Sequence, residues 1–388
     1  MRTRTIVASG IAGLVLAVMF GAPARVAGQN PTTEAAKEAA RKVALRSEEE
    51  SAAIWAAEVE RNKAAAVARV YDPAKPDLVN PPRTPWGDPD LRGYYITATY
   101  TPLERPRNVD KALYTADEAL NAFLTQTDID AGADPGVVHY DWKEFGMEAW
   151  QSPVRPSLRT GLVVEPQNGR LPPLTPAAEQ RRAEAAALRK QRDDQTGIGI
   201  FNNRYTRCVM GLGAIPLIRG GNPGSAEATS AGVSTEIQLF QTADYVTIVH
   251  QSNTDVRIIP VSRRAHLPEA VKQWNGNSRG HWEGNTLVVE TTGIKDLLRP
   301  GGGFRGATDS ATFVERFSVL DANTLRYTYT VTDPNTWTSS WTVDTHLPRI
   351  DPPLYEFACH EQNYGLINLV MGAQIRATEG VLDPRAPR

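Results

Sequence analysis

The chain has 388 residues, of which 41% are hydrophobic, and its formal net charge is −2 at pH 7. This length and apolar content are enough for one large or two modest folded domains. Lysine and arginine are spread among aspartate and glutamate along the chain and form no basic stripe, which argues against a nucleic-acid partner.

The N-terminal residues have the organisation of a secretory signal peptide. Arg2 and Arg4 precede an apolar run from Thr5 to Met19, and small residues follow. An uncleaved anchor is the alternative, but the run is interrupted and shorter than the roughly 20 residues of a membrane span. We expect a signal peptide over 1–28, a periplasmic or secreted mature chain, and no membrane span after cleavage.

Two segments without an obvious core of their own come next. Residues 29–72 are rich in Ala, Glu, Lys and Arg with a thin apolar stripe, which predicts a helical arm on the surface. This arm is a candidate docking site for a protein partner. Residues 73–200 begin with many prolines, which predict an extended wrapping segment with short strands. Within it, Thr115 and Glu118 predict a capped helix, and a polar helix follows from Pro176 to about Asp193. Both helices are charged on most faces, so we expect outer decorations rather than walls of a pocket.

Residues 201–388 predict an antiparallel β domain that forms one structural unit with 73–200. Strand-like segments are joined by short turn sequences. They are Glu236 to Gln241, Tyr245 to His250, Val256 to Val261, Gly280 to Trp282, Thr286 to Thr292, Thr312 to Leu320, Thr324 to Thr332, Thr336 to Thr345 and Tyr355 to Cys359. Parallel strands would need crossovers of a dozen residues or more, so these links predict an up-and-down meander.

The predicted fold class is therefore mainly β. A meander loses its exposed edges by closing into a lipocalin-like barrel or a strongly curled sheet. A two-sheet β-sandwich is the alternative. In either arrangement Leu325, Tyr327, Tyr329 and Val331 should point to one face, because they alternate with polar residues.

Two cysteines occur, Cys208 and Cys359. In an oxidising compartment the simplest expectation is one disulfide between them. Two buried free thiols are the alternative.

Two polar clusters are candidates for acid/base chemistry. Asp255 and Arg257 are two residues apart on one strand, so their side chains share a face, where they could hold a substrate oxygen or form a structural ion pair. Arg279, His281 and Glu283 follow the same spacing. If they point inward, His281 is a general acid or base oriented by Glu283, with Arg279 stabilising an oxyanion. If they point outward, they form a solvated edge.

A third cluster, His360 with Glu361 and Glu356 beside Cys359, is a weak candidate for metal binding, with His360 and Glu361 as the candidate ligands. No paired spacing such as His-Glu-x-x-His accompanies it, so we expect no metal. Gly301-Gly302-Gly303 lacks the lysine and helix of a phosphate loop, and we expect no cofactor. A group of aromatic residues either lines an apolar cavity or forms plain core: Trp282, Trp337, Trp341, Tyr327 and Tyr329.

The stretch from Asn277 to Thr292 resembles a block of a large family of uncharacterised exported bacterial proteins, common in acidobacteria and other soil bacteria. Further blocks agree with it: Asp90 to Tyr94 with Thr101 to Pro106, Asp255 to Pro260, Val314 to Phe317, Asp333 to Trp337 and Tyr355 to Glu361. The resemblance covers about residues 80–380 and implies export and a β-rich fold, but no reaction. Thr254 and Asn285 depart from the family pattern, where His and Asp are expected.

The sequence favours an exported barrel that binds a small apolar or aromatic molecule. A cofactor-independent acid/base reaction is compatible with this function. It would be of the isomerase, cyclase or lyase type and would use the ionisable residues named above. A non-catalytic envelope interaction module is the first alternative. A secreted hydrolase or lyase acting on plant-derived or polysaccharide material is the second.

Overall fold

A computed structural model of the chain describes residues 70–131, 154–195, 208, 215–218, 235–251, 255–262, 264–295, 304, 306–350, 354, 356–361, 363–364, 367–368, 371–372 and 375. The predicted signal peptide, and the predicted helical arm up to residue 69, lie outside these residues. No described helix is long and apolar enough to cross a membrane.

The described elements are predominantly strands, as the sequence predicts. The N-terminal part contributes β1 (Gly93–Ile96), α1 (Ala116–Ala131), β2 (Val163–Glu165) and α2 (Pro176–Gln195). The remaining strands are β3 (Glu236–Gln241), β4 (Tyr245–His250), β5 (Val256–Pro260), β6 (Asn277–Glu283), β7 (Thr286–Thr292), β8 (Thr312–Asp321), β9 (Thr324–Thr332) and β10 (Trp341–Pro348).

Every strand ladder is antiparallel. One sheet has four strands in the order β1-β3-β4-β5, and the other has six in the order β2-β10-β9-β8-β7-β6. Neither sheet closes on itself, so the ladders establish two antiparallel sheets and not a continuous barrel. Isolated bridges join Val261 to Gly280 and Tyr95 to Arg349 at the neighbouring edges.

Strand β6 is longer than the predicted Gly280 to Trp282, and two other predicted strands differ more clearly from the structure. The last one is wrong for residues 356–359, which are not in a strand. The strand predicted to start at Thr336 starts only at Trp341, because Asp333 organises a turn here. The Asp333 carboxylate accepts hydrogen bonds from the Thr308 amide (2.6 Å) and the Thr336 hydroxyl (2.7 Å), so the chain stays irregular.

Residues from both sheets form one apolar core. Leu239 and Ile248 of the four-stranded sheet belong to the same buried cluster as Val289, Phe313 and Tyr327 of the six-stranded sheet. Burial alternates along β9 as predicted, since Leu325, Tyr327, Tyr329 and Val331 are buried and the residues between them are partly exposed. Four of the five aromatic residues are therefore plain core: Trp337, Trp341, Tyr327 and Tyr329. The fifth, Trp282, is partly buried and packs against that cluster.

The Pro-rich segment is held by isolated bridges to residues 157–159. Tyr71 pairs with Ser157, and Leu113 pairs with Arg159, through isolated bridges. Helix α1 begins with the predicted capping box. The Thr115 amide donates to Glu118 Oε2 (2.8 Å), and the Glu118 amide donates to Thr115 Oγ1 (3.3 Å). A second apolar cluster that includes Tyr100 and Phe123 attaches α1 to this segment.

Cys208 and Cys359 form the predicted disulfide, which joins positions 151 residues apart in the sequence. The Asn363 side-chain amide donates to Cys208 Sγ at 3.4 Å. No free cysteine remains among the described residues. The bridge therefore ties the C-terminal part of the chain to a segment that precedes β3.

Candidate functional site

Arg257 lies in the core, where five neighbouring strands each contribute one side chain to a polar cluster. Its guanidinium forms an ion pair with Glu315 of β8, and these side chains are 2% and 0% exposed. Nε donates to Ser278 Oγ of β6 (3.0 Å), and Nη2 donates to Thr291 Oγ1 of β7 (2.7 Å). Tyr327 of β9 donates to Glu315 Oε1 (2.7 Å). We call these five residues the buried polar node.

Within the node, the positive charge of Arg257 is balanced by the carboxylate of Glu315. Burial, and then the Glu315 charge, raise the pKa of Tyr327, so its hydroxyl stays a neutral donor. The Leu217 amide donates to that hydroxyl at 3.0 Å. Arg257 Nη1 is buried without a hydrogen-bond partner among the described residues. The node links β5 of one sheet to β6–β9 of the other, which is a structural role.

Asp255 and Arg257 do not form the isolated pair that the sequence suggested. The carboxylate that binds Arg257 belongs to Glu315, 58 residues further along the chain. Asp255 precedes β5 and is half-buried, and its backbone carbonyl accepts a hydrogen bond from the His250 amide (2.8 Å). Burial of Arg257 argues against direct contact with a substrate in this conformation.

Arg279, His281 and Glu283 share one face of β6, and that face points outward. The side chains of His281 and Glu283 are 42% and 47% exposed, with His281 Nε2 3.1 Å from Glu283 Oε1. Arg316 of β8 binds the second carboxylate oxygen at 2.8 Å. Arg316 first, and His281 second, lower the pKa of Glu283. Of the two orientations that the sequence allows, the structure therefore has the outward one, in which these residues form a solvated edge.

The opposite face of β6 explains this orientation. Ser278 and Gly280 are buried, and Trp282 packs against the core. An ideal Cβ on Gly280 would lie 3.1 Å from Ile259 Cγ2, so glycine permits the close approach of β6 to β5. The face of β6 that carries Ser278 therefore packs against the core, and the face that carries His281 is exposed to solvent.

The weak metal candidates lie on the surface. His360 and Glu361 are both exposed, beside the disulfide at Cys359. The described part of the chain contains no group of three His, Cys, Asp or Glu side chains placed to hold a metal ion. These two residues therefore have no described third ligand.

A cavity of about 380 Å³ lies elsewhere, between α1 and the rest of the wrapping segment, at residues 100–114 and 155–159. Neither Arg257 nor His281 lines it. Its walls combine aromatic, hydroxyl and guanidinium groups, among them Tyr100, Tyr114, Phe123, Ser157, Arg155 and Arg159. The Tyr100 and Phe123 rings meet edge to face, with centroids 5.3 Å apart. Helix α1 is therefore a wall of a cavity, which corrects the expectation that it only decorates the surface.

A polar network supports the guanidinium side of this cavity. Arg159 forms an ion pair with the largely buried Asp344 of β10. The Tyr71 hydroxyl donates to Asp344 Oδ1 (2.9 Å), and Arg326 of β9 donates to the Tyr71 hydroxyl (3.0 Å). Burial, and then Asp344, raise the pKa of Tyr71, so it remains neutral. These contacts fix Arg159 at the wall of the cavity.

His346 of β10 is buried behind the same network. Its ring stacks on Tyr71, with centroids 4.3 Å apart. Burial, and then the charge of Arg155, lower the pKa of His346 to about 3. His346 is therefore a neutral packing residue at physiological pH.

Sequence reasoning missed this cavity because its residues are far apart in the chain and belong to different elements. The capping box at Thr115 was the one available signal, since it fixed the start of the helix that forms a wall. No family model, curated protein or solved structure matches the chain.

Proposed function

We propose that the protein binds a small apolar or aromatic molecule in the cavity between α1 and the wrapping segment. The observation that carries this proposal is the cavity volume of about 380 Å³, with Tyr100, Tyr114 and Phe123 among its walls. Ligand sites are typically concavities of roughly 300–1,000 Å³ with apolar walls and a few polar groups. Rings on these walls can bury a flat ligand by stacking or edge contacts.

Several contacts form this cavity without a ligand. The capping box sets the start of α1, and Phe123 packs with Tyr100 and Val154 in the second apolar cluster. Walls held by such contacts need little ordering when a ligand arrives, which favours affinity.

A pair of helix substitutions tests the proposal. Ala122→Phe places a ring at the cavity wall, whereas Asn121→Phe adds the same ring to the exposed face of α1. Titration calorimetry with 3-phenylpropanoate and with 3-phenylpropanol should give binding to the native chain and to Asn121→Phe, and no binding to Ala122→Phe. Equal binding by all three chains would place the ligand elsewhere, and no binding to the native chain would refute the proposal.

We also propose that the two sheets curl around their common core as one flattened barrel. The two edge bridges support this arrangement, and so does the hydrogen bond from the Ile350 amide to the Tyr94 carbonyl (3.0 Å). A closed barrel should protect the Ile350 amide from hydrogen exchange as strongly as the β9 amides. Rapid exchange at Ile350 would favour two separate sheets.

Export to the periplasm or the cell exterior is a further proposal. The charged, apolar and small-residue regions of 1–28 support it, and so does a disulfide, which persists in oxidising compartments. N-terminal sequencing of the expressed protein should give a mature chain that starts near Gln29. Recovery of an intact N-terminus with reduced cysteines would refute it.

A further inference from the structure

We propose that two copies of the chain associate through the outer face of the four-stranded sheet. The strand ladders place six side chains of β3, β4 and β5 at the centre of this face. None of the six lines the cavity, so the proposal is independent of the ligand site. We call them the apolar face: Phe240, Tyr245, Thr247, Val249, Val256 and Ile258.

The register of the ladders makes the apolar face continuous. Thr247 of the middle strand β4 is paired with Phe240 of β3 on one side and with Ile258 of β5 on the other. Val249, two residues further along β4, is paired with Val256. Because neighbouring strands lie about 4.8 Å apart, these side chains form one patch.

Most of this patch is open to solvent. Phe240, Tyr245, Val256 and Ile258 are between 42% and 62% exposed, whereas the solvated face of an antiparallel sheet is normally polar. With areas of about 150–200 Å² per side chain, these fractions leave roughly 350 Å² of apolar surface on each copy. Contiguous apolar patches of this size on a protein surface are often sites of interaction.

The residue preferences of strands do not account for the patch. The outer face of the six-stranded sheet carries Thr328 and Thr330 on β9 and Arg316 on β8. Threonine favours strands as valine and isoleucine do, and its hydroxyl is compatible with water. The chain therefore forms a solvated strand face from polar residues in one sheet, and the apolar residues of the other sheet need a different explanation.

The lack of charge on the apolar face favours a second copy as the partner. None of the six side chains is ionisable, and the flanking Gln238 and Pro260 are uncharged. Glu236 marks the end of the face, where its carboxylate accepts a hydrogen bond from the Gln251 amide (3.1 Å). Two identical faces can meet here without like-charge repulsion, as a two-fold contact requires. A lipid surface instead favours apolar residues flanked by lysine and arginine, and the one such residue in β3–β5, Arg257, is buried.

The area of the patch predicts a dimer that depends on concentration. A specific interface takes about 800 Å² from each partner, with an apolar centre and a polar rim. The apolar face supplies the centre of such an interface, and the polar residues around it supply the rim. We therefore expect a dissociation constant on the order of micromolar.

Sedimentation equilibrium of the full chain, from about 1 μM to about 200 μM, measures this association. Ile258→Glu buries a carboxylate in the contact and should weaken the dimer at least about 10-fold. Ile258→Thr keeps a β-branched residue but removes apolar area, and should weaken the dimer less. Val79→Glu adds the same charge at an apolar residue outside the face that is 81% exposed, and should associate like the native chain.

The outcomes decide between a second copy and other partners. A native chain that stays monomeric at about 200 μM would overturn the proposal, and so would equal association of Ile258→Glu and Val79→Glu. If Ile258→Glu does not fold, Ile258→Thr decides, because association equal to that of the native chain would contradict the proposal. A monomeric native chain that floats with phosphatidylcholine vesicles, unlike Ile258→Glu, would overturn the second copy in favour of a lipid surface.

Discussion

At the scale of single residues, the buried polar node makes the interior sensitive to the loss of one charge. Removing two ions from water is costly, and their attraction compensates only when both partners remain. Arg257 and Glu315 meet this condition, with Ser278, Thr291 and Tyr327 satisfying further hydrogen-bonding groups. Loss of one partner should therefore cost far more than loss of the pair.

Arg257→Met should lower the free energy of unfolding by about 3–5 kcal/mol, because it leaves the Glu315 carboxylate buried without its counter-charge. Urea unfolding followed by circular dichroism measures this change. The double variant Arg257→Met with Glu315→Leu should regain most of the loss. Arg316→Met, which removes an exposed partner of Glu283, should leave the midpoint unchanged, and a comparable loss there would contradict the role of the node.

His346 makes stability depend on pH. Burial lowers its pKa from 6.5 to about 3 in the folded chain, so between these values the unfolded chain binds a proton that the folded chain does not. Stability is complete above pH 6.5 and falls as the pH drops toward 3. Lowering the pH from 6.5 to 4.5 should cost about 2–3 kcal/mol through this residue.

Urea midpoints at pH 7, 6, 5 and 4.5 measure this dependence. His346→Phe keeps a ring against Tyr71 and should make the urea midpoint less dependent on pH. His281→Phe replaces an exposed histidine and should leave the pH dependence of the midpoint as it is in the native chain. Equal slopes for the native chain and His346→Phe would show that other groups cause the loss at acid pH.

The sequence identified Arg257 as a candidate for an ion pair, but it did not identify the partner of Arg257. Arg257 and Asp255 were paired because they are two residues apart, which is local information. Glu315 is 58 residues away from Arg257, and only the packing of β5 near β6–β8 brings the two together. Non-local pairing of this kind has no periodic signature in one sequence.

At the scale of elements, the β6–β7 hairpin shows how one residue sets a turn. Gly284 and Asn285 link the paired residues Glu283 and Thr286, and Gly284 has a φ of +60°. Asn285 has no positive φ. This pattern is that of a type II′ turn, whose first central residue is typically glycine. The Asn285 side chain instead binds Arg83 (2.8 Å) and the Val79 carbonyl (2.8 Å).

Gly284→Ala should destabilise the protein by about 1–2 kcal/mol, because an L-residue with a Cβ is strained at this φ. No atom lies within 4 Å of the new Cβ, so the effect is conformational and not steric. Thermal unfolding measures it. Gly284→Asn should cost less, since asparagine tolerates the left-handed region, and an equal cost for both variants would contradict the backbone explanation.

Strand positions were largely predictable, but the orientation of β6 was not. Alternation along β9 separates apolar from polar residues cleanly, and the structure follows it. Along β6 polar residues occupy both faces, with Ser278 on one and Arg279, His281 and Glu283 on the other. Hydrophobic periodicity cannot predict which of two such faces is buried. In the folded chain, the close approach of Gly280 to Ile259 places the face of Ser278 against the core.

At the scale of the whole molecule, the disulfide restrains the unfolded chain. A cross-link between positions 151 residues apart removes much of its conformational freedom, worth about 4–5 kcal/mol in the chain-entropy model. The double variant Cys208→Ser with Cys359→Ser should therefore lose stability of this order. Urea midpoints with and without a reductant should differ for the native chain and coincide for the variant, and a native chain insensitive to reduction would contradict this.

At this scale, residues from distant parts of the sequence come together. Arg257, Ser278 and Glu315 belong to three different strands and meet in the buried polar node, and Asp333 organises the turn before β10. The walls of the cavity between α1 and the rest of the wrapping segment are likewise far apart in the sequence, which is why no local pattern indicated a ligand site there.

The aromatic part of the core gives the protein an optical signature of its own. Phe304 stacks on Trp341 with centroids 5.7 Å apart, and Trp337 meets Trp341 edge to face at 5.4 Å. Rings held in one chiral arrangement produce a near-ultraviolet circular dichroism band, which a loosely packed chain loses while it keeps its strands. That band therefore distinguishes a variant that has lost its side-chain order from one that has lost only its ligand.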